Sequence, residues 1–186
     1  MTDETKRIEE QIREAREAFE GRPPLDKWHP DLSGDIDMRI LRDGTWLFQG
    51  KPLQREAIVR LFATILRRED DGEYYLVTPV EKWRLQVEDT PLLAHGLDVS
   101  GEGRDQVLTL TLNTGESLVV GAEHPLRMDS YDSGEPRPLV GVVQGLEARL
   151  VTAAYYELAE YAVASPDNEQ VLGVWSDGQF FELGQG

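Results

Sequence analysis

The sequence predicts an α+β protein of two tandem repeats, each an antiparallel sheet packed by one helix, with an extra helix at the N-terminus. Three observations carry that expectation. Short segments such as "DIDMRILRDGTWLFQG" alternate apolar and polar residues at period two around glycine-bearing turns. Two longer segments, "LQREAIVRLFATILRRE" and "QGLEARLVTAAYYELAEYAV", carry the three-and-four spacing of amphipathic helices. A glycine pair six residues apart recurs at Gly44/Gly50, Gly115/Gly121 and Gly178/Gly184, each time beside a strand, which suggests a repeated element.

Bulk properties set outer limits. A length of 186 residues suits one ordinary domain or two small ones, and 40% hydrophobic residues are enough for packed cores. The chain has no cysteine, which excludes disulfides, cysteine-ligated metals and thiol nucleophiles and fits a reducing cytoplasm. The N-terminus lacks the apolar centre of a signal peptide, and no stretch reaches the roughly 18 apolar residues of a membrane span. A cytoplasmic protein is therefore expected. The net charge of −16 repels phosphate backbones and anionic lipids, so neither nucleic acid nor membrane is an expected partner.

The elements follow in order. Residues 1–22 read as a charged helix, with Ile8, Ile12, Ala15 and Phe19 on one narrow stripe, Thr2 or Asp3 as cap, and Gly21, Pro23 and Pro24 ending it. Such a helix should lie against the body of the protein or contact a protein partner. A proline-rich connector leads to a hairpin, with Met38 and Ile40 before the turn and Trp46 and Phe48 after it. Asp43-Gly44 is the expected type I′ turn. "GTWLFQGK" superficially resembles a phosphate-binding loop. Its spacer is five residues instead of four, however, and Lys51 precedes Pro52 in place of Ser or Thr, so the hairpin is preferred.

The first long helix places Ile58, Leu61, Phe62, Ile65 and Leu66 on one face, and Arg55, Arg60, Arg67 and Arg68 read as its solvated side with a basic last turn. Strands "EYYLVT" and "KWRLQVE" follow. The glycine- and charge-rich stretch 95–106 marks the seam, giving repeats at 23–95 and 96–186. In the second repeat "LTLTLNTGESLVVG" reads as a hairpin and "PLVGVV" as an added strand. The second helix places Leu146, Leu150, Ala154, Leu158 and Tyr161 on one face, and "QVLGVW" and "QFFEL" close the chain as strands.

Few residues suggest chemistry. Glu81 falls in phase with Trp83, Leu85 and Val87, so either it reaches water at the strand end or it answers an arginine such as Arg127 or Arg149. In "GAEHPLRMD", Pro125 biases His124 towards extended backbone, with Arg127 close by. An imidazole and a guanidinium so held suit an anion or a nucleotide phosphate, although a lone histidine there also suits a structural hydrogen bond. His29 and His95 have no metal-ligand spacing around them, Asp129, Asp132 and Glu135 do not match a calcium loop, and no Gly-x-Ser-x-Gly elbow occurs. No catalytic residue, metal or cofactor is expected.

The stretches "DGTW", "LVTPVEK", "VEDTP" and "EHPLR", within a match running from about Trp28 to Tyr161, resemble the bacterial family known as domain of unknown function 1285. That resemblance implies an internal duplication, a C-terminal domain like the pleckstrin-homology type, and a role in signalling with a nucleotide-like ligand between the domains. It implies no catalytic residues. The expectation is a non-enzymatic module binding a small anionic ligand, with Glu81 and Lys82 on one wall and His124, Arg127 and Arg149 on the other. The alternatives are a protein-interaction adaptor using the N-terminal helix or a sheet edge, and a hydrolase with Glu81 or His124 as base.

Overall fold

A computed structural model describes residues 3–16 and 21–186. The chain divides into two compact units, Met1–Asp89 with Gln144–Leu146, and Thr90–Val143 with Glu147–Gly186. Unit 1 runs α1 (Asp3–Arg16), β1 (Leu32–Ile40), β2 (Trp46–Phe48), β3 (Lys51–Pro52), α2 (Glu56–Thr64), β4 (Leu66–Arg68), β5 (Tyr74–Val77) and β6 (Lys82–Val87). Unit 2 runs β7 (Leu92–Ser100), β8 (Val107–Leu112), β9 (Ser117–Val119), β10 (Leu126–Ser130), β11 (Pro136–Gly141), β12 (Glu147–Leu150), α3 (Thr152–Ala159), β13 (Val163–Ala164), β14 (Val171–Ser176) and β15 (Gln179–Gln185). Residues 92–95, which the expected seam gives to the first repeat, belong to β7 and pair with β12 and β8.

The fold is α+β, and the duplication is written in the strand order. Unit 1 has a six-stranded sheet ordered β3-β2-β1-β6-β5-β4, and unit 2 has one ordered β10-β11-β12-β7-β8-β9. In each, the first strand lies parallel to the sixth, β1 to β6 and β7 to β12, and every other pairing is antiparallel. Two three-stranded meanders thus meet along one parallel seam. Period-two patterning predicts strands but does not distinguish parallel from antiparallel neighbours, and the expected sheets were all-antiparallel.

The shared turn is also not the expected one. Among residues 41–45, only Gly44 has positive φ; Gly44 N donates to Leu41 O and Leu41 N to Thr45 O. This is a type I turn closed by a glycine bulge, instead of the type I′ turn expected at Asp43-Gly44. The same pair of bonds recurs at Glu69–Glu73, Leu112–Glu116 and Tyr131–Glu135. Two of these four, between β4 and β5 and between β10 and β11, occupy equivalent places in the two sheets. Positive φ at two successive residues occurs instead at Gln49-Gly50, Gln144-Gly145 and Asp177-Gly178. The six-residue glycine spacing therefore joins unlike turns, and the repeat resides in the meanders.

Both long helices end earlier than their apolar spacing suggests. Helix α2 stops at Thr64, and Leu66, in phase with Phe62, pairs instead with Leu76 as strand β4. Leu150, in phase with Ala154, lies in β12 opposite Ala94. Apolar residues three or four apart serve a helix, but a buried strand starting just after or before one keeps the same spacing. In unit 1, Ile36, Met38, Ile40, Trp46, Phe48, Ile58, Phe62, Leu76 and Leu85 are buried, and the Trp46 and Phe62 rings stand 6.5 Å apart. In unit 2, Leu108, Leu110 and Leu112 alternate with half-exposed threonines, and α3 buries Ala154 and Leu158 against β7, β12 and β14. Ser176 is fully buried. Its Oγ donates to Val120 O at 2.6 Å and accepts from Leu108 N at 2.9 Å, so it stitches β14 to the large sheet.

Helix α1 carries Asp3 and Glu4 in its first turn and Arg13 and Arg16 in its last, matching its dipole. Ile8 and Ile12 are fully buried within the body of the protein. Phe19 and Thr2 lie outside the described residues. Arg67, expected on a solvated helix face, is a buried strand residue. Its Nη1 donates to Leu25 O and Trp28 O, both at 2.9 Å, and its Nη2 meets Glu69 Oε2 at 2.6 Å.

Candidate functional site

Glu81 and Lys82 stand at the start of β6. The connection from β5 is a tight turn in which Thr78 N donates to Glu81 O and Glu81 N to Thr78 Oγ1, leaving Pro79 outside the ladder. The Glu81 side chain is 19% exposed and answers Arg7 of α1 at 3.1 Å and Gln11 at 3.0 Å. Its partner is thus an arginine 74 residues earlier in the chain. Lys82 turns to the opposite face of the sheet, 2.9 Å from Glu69 Oε1 and 4.7 Å from the centre of the Tyr75 ring. Burial opposes the Glu69 charge, but hydrogen bonds from Lys82 and Arg67 outweigh it and hold the carboxyl below its ordinary range.

His124, Arg127 and Arg149 gather on β10–β12 and the residues before them. His124 Nδ1 lies 3.0 Å from Gly141 O, the structural hydrogen bond open to a lone histidine. Arg127 makes a two-pronged pair with Glu147, both contacts at 2.9 Å, which strengthens its hold on its proton. Register places Arg127, Leu139 and Arg149 in one row across three strands, so the two arginines share a sheet face. Asp129 and Arg137 extend that row of charges, paired at 3.1 Å.

Glu81, Lys82 and Arg127 therefore already have opposite charges as partners within their own units. A cation neutralised by a carboxylate at hydrogen-bond distance offers little net field to an incoming anion. Positive charge without such a partner stands elsewhere, at the end of the "GTWLFQGK" stretch. The type I′ turn at Gln49-Gly50 sends the chain back as β3, where Lys51 pairs with Phe48. After three intervening residues, 53–55, α2 begins at Glu56, with Arg55 as its cap residue.

A groove of about 470 Å³ opens there, lined by Phe48, Gln49, Lys51, Pro52, Leu53, Gln54, Arg55 and Ile58. Phe48 and Ile58 are buried and form an apolar floor, while Lys51 and Arg55 are exposed at the rim. Neither cation forms an ion pair among the described residues. The volume suits a small molecule, and an apolar floor with a few polar groups is the usual lining of a ligand pocket. A second groove of about 460 Å³ lies along Asp35, Met38, Arg39, Leu47 and Gln86. There Asp35 is paired with Arg84 and Arg39 with Gln86.

Sequence reading missed Arg55 as a site residue and set Lys51 aside because the phosphate-loop spacing fails. The available signal was two cations four residues apart flanking "PLQ", between a hairpin and a helix start. Among the described residues no group of three or more histidine, cysteine or carboxylate side chains is placed to hold a metal, and no helix is long and apolar enough to cross a membrane.

No functionally curated protein matches the chain. A DUF1285 family protein from Silicibacter pomeroyi DSS-3 is 44% identical, with a TM-score of 0.84 over 94% of this chain and 94% of that one. A DUF1285 family protein from Shewanella baltica OS155 is 30% identical, with a TM-score of 0.53 over 67% of this chain and 91% of that one. The N-terminal domain of the domain of unknown function DUF1285 matches residues 23–90 and its C-terminal domain residues 91–183, so the chain belongs to the DUF1285 family.

Proposed function

We propose that the protein is a non-enzymatic module that binds a small anionic, nucleotide-like ligand, and that the groove between β3 and the start of α2 receives it. The observation that carries this reading is the pair Lys51 and Arg55. In a chain of net charge −16, these two cations rim an apolar groove with no carboxylate partner among the described residues. Phe48, Pro52, Leu53 and Ile58 would cover a planar or apolar body, and Lys51 and Arg55 would take a phosphate or carboxylate. The amides of Gln49 and Gln54 supply orienting hydrogen bonds. Glu81, Lys82, His124, Arg127 and Arg149 support the folds of their own units in this reading and do not contact the ligand.

Thermal denaturation with adenosine monophosphate and with inorganic phosphate tests it. A ligand at about a hundred times its dissociation constant adds roughly 2.7 kcal/mol of stability. Adenosine monophosphate should raise the melting temperature more than phosphate, because the base covers the apolar floor. The Lys51→Ala/Arg55→Ala double variant should fold and lose the shift. An undiminished shift in that variant, or no shift with either compound, would overturn the reading.

A further inference from the structure

Unit 2 presents a second chemically incomplete surface, far from cationic balance. Residues 150–186 contain no lysine, arginine or histidine but six acids, Glu157, Glu160, Asp167, Glu169, Asp177 and Glu182. None of the six forms an ion pair among the described residues. Large apolar groups are exposed in the same segment: Tyr156 is 66% exposed, Val163 46% and Tyr161 39%. These residues are neighbours. Bonds from Glu160 N to Glu157 O, Tyr161 N to Leu158 O and Ala162 N to Ala159 O carry the coil of α3 to the edge of β13. Tyr156 and Glu160 are one turn apart, as are Glu157 and Tyr161, so aromatic and carboxylate groups alternate along one outward face. Strand β13 is an edge of the three-stranded sheet.

We infer that this α3–β13 face docks a basic amphipathic segment of a partner protein, with lysine or arginine over the tyrosine rings and against Glu157 and Glu160, and apolar residues on Tyr156 and Val163. Charge complementarity selects that occupant. A second copy of this chain would bring the same uncompensated acids against themselves, and nucleic acid or anionic lipid would be repelled. Guanidinium on an aromatic ring is chemistry this fold already uses, with Arg104 standing 4.8 Å from the Trp175 ring centre. The surface lies entirely in unit 2 and does not depend on the unit 1 groove.

Calorimetric titration of the full chain with a synthetic amphipathic Leu/Lys peptide tests the inference, with a Leu/Glu peptide and a Gly/Lys peptide as comparisons. The Leu/Lys peptide should bind more tightly than either, and its affinity should fall as salt rises. Tyr156→Ala and Glu157→Lys/Glu160→Lys should each weaken it by about tenfold. Asp132→Lys/Glu135→Lys, which makes the same charge change in the β10–β11 turn, should leave affinity within about twofold. Far-ultraviolet dichroism checks that each variant is folded. Absence of binding, equal loss in the turn variant, or an unchanged Tyr156→Ala would overturn the inference. So would a dimer in sedimentation that Tyr156→Ala dissociates, since the face would then belong to self-association.

Discussion

Units 1 and 2 share one strand order and differ in where their helices are placed. In unit 1 α2 interrupts the two meanders between β3 and β4; in unit 2 α3 follows the sixth strand and leads to an added three-stranded sheet. Three strand cations of the common part have carboxylate partners: Arg84 pairs with Asp35, Arg127 with Glu147, and Lys82 with Glu69 of the β4–β5 turn. In the parts that differ, Lys51 and Arg55 at the insertion of α2 and Glu157 and Glu160 on α3 form no ion pair among the described residues. Duplication supplied a scaffold, and the departures from symmetry are where partners of opposite charge are to be sought.

The largest expected effect tests whether the shared scaffold is held by different devices in each unit. Arg67→Met should destabilise unit 1 by about 3 kcal/mol, because it removes the charged donor to Leu25 O and Trp28 O and leaves the half-buried Glu69 carboxylate with Lys82 as its remaining cation. Urea denaturation followed by amide exchange should place the loss in unit 1. The counterpart in unit 2 is Ser176→Ala, which strips Leu108 N and Val120 O of their partner. It should cost about 1–3 kcal/mol, with lost protection centred on β8 and β14.

A matched pair sharpens the duplication itself. Gly72 and Gly134 close equivalent turns at φ of 81° and 88°, with no atom crowding a new Cβ closer than 3.9 Å. Gly72→Ala and Gly134→Ala should therefore cost nearly the same, about 1 kcal/mol each, the price of a left-handed alanine. A large difference between the two would show that the turns are alike in geometry and unlike in role.

The smallest expected effect concerns pH. The folded Glu69 carboxyl is held below its usual range by Lys82 and Arg67. As pH falls, the unfolded chain therefore takes up this proton first. The stabilisation is complete above the ordinary glutamate value of 4.5 and is lost as pH drops through the lower folded value. Glu69→Gln should flatten the acid limb of a stability–pH curve measured by urea midpoint, with little change in the limb's shape from unit 2.

Much of the fold could be read from residue order, and the reason is local. Leu108, Leu110 and Leu112 between threonines can only be a half-buried strand, and Ile58 with Phe62 can only face a core from a helix. What escaped was non-local. No period in the sequence announces that β1 lies parallel to β6, or that Glu81 is answered by Arg7. Arg67 resembled its exposed neighbours Arg60 and Arg68 until strand β4 turned it inward. The site followed the same rule: charge at Lys82 and Arg127 looked available because their partners come from elsewhere in the sheets, Glu69 from the β4–β5 turn and Glu147 from β12. Lys51 and Arg55 looked ordinary because a missing partner leaves no mark in sequence.

Amide chemical-shift mapping with adenosine monophosphate tests the central claim most directly. The account predicts perturbations concentrated at residues 48–58, saturating with one ligand and absent in Lys51→Ala/Arg55→Ala. Perturbations centred instead on Glu81, His124, Arg127 or Arg149, with 48–58 unmoved, would contradict it.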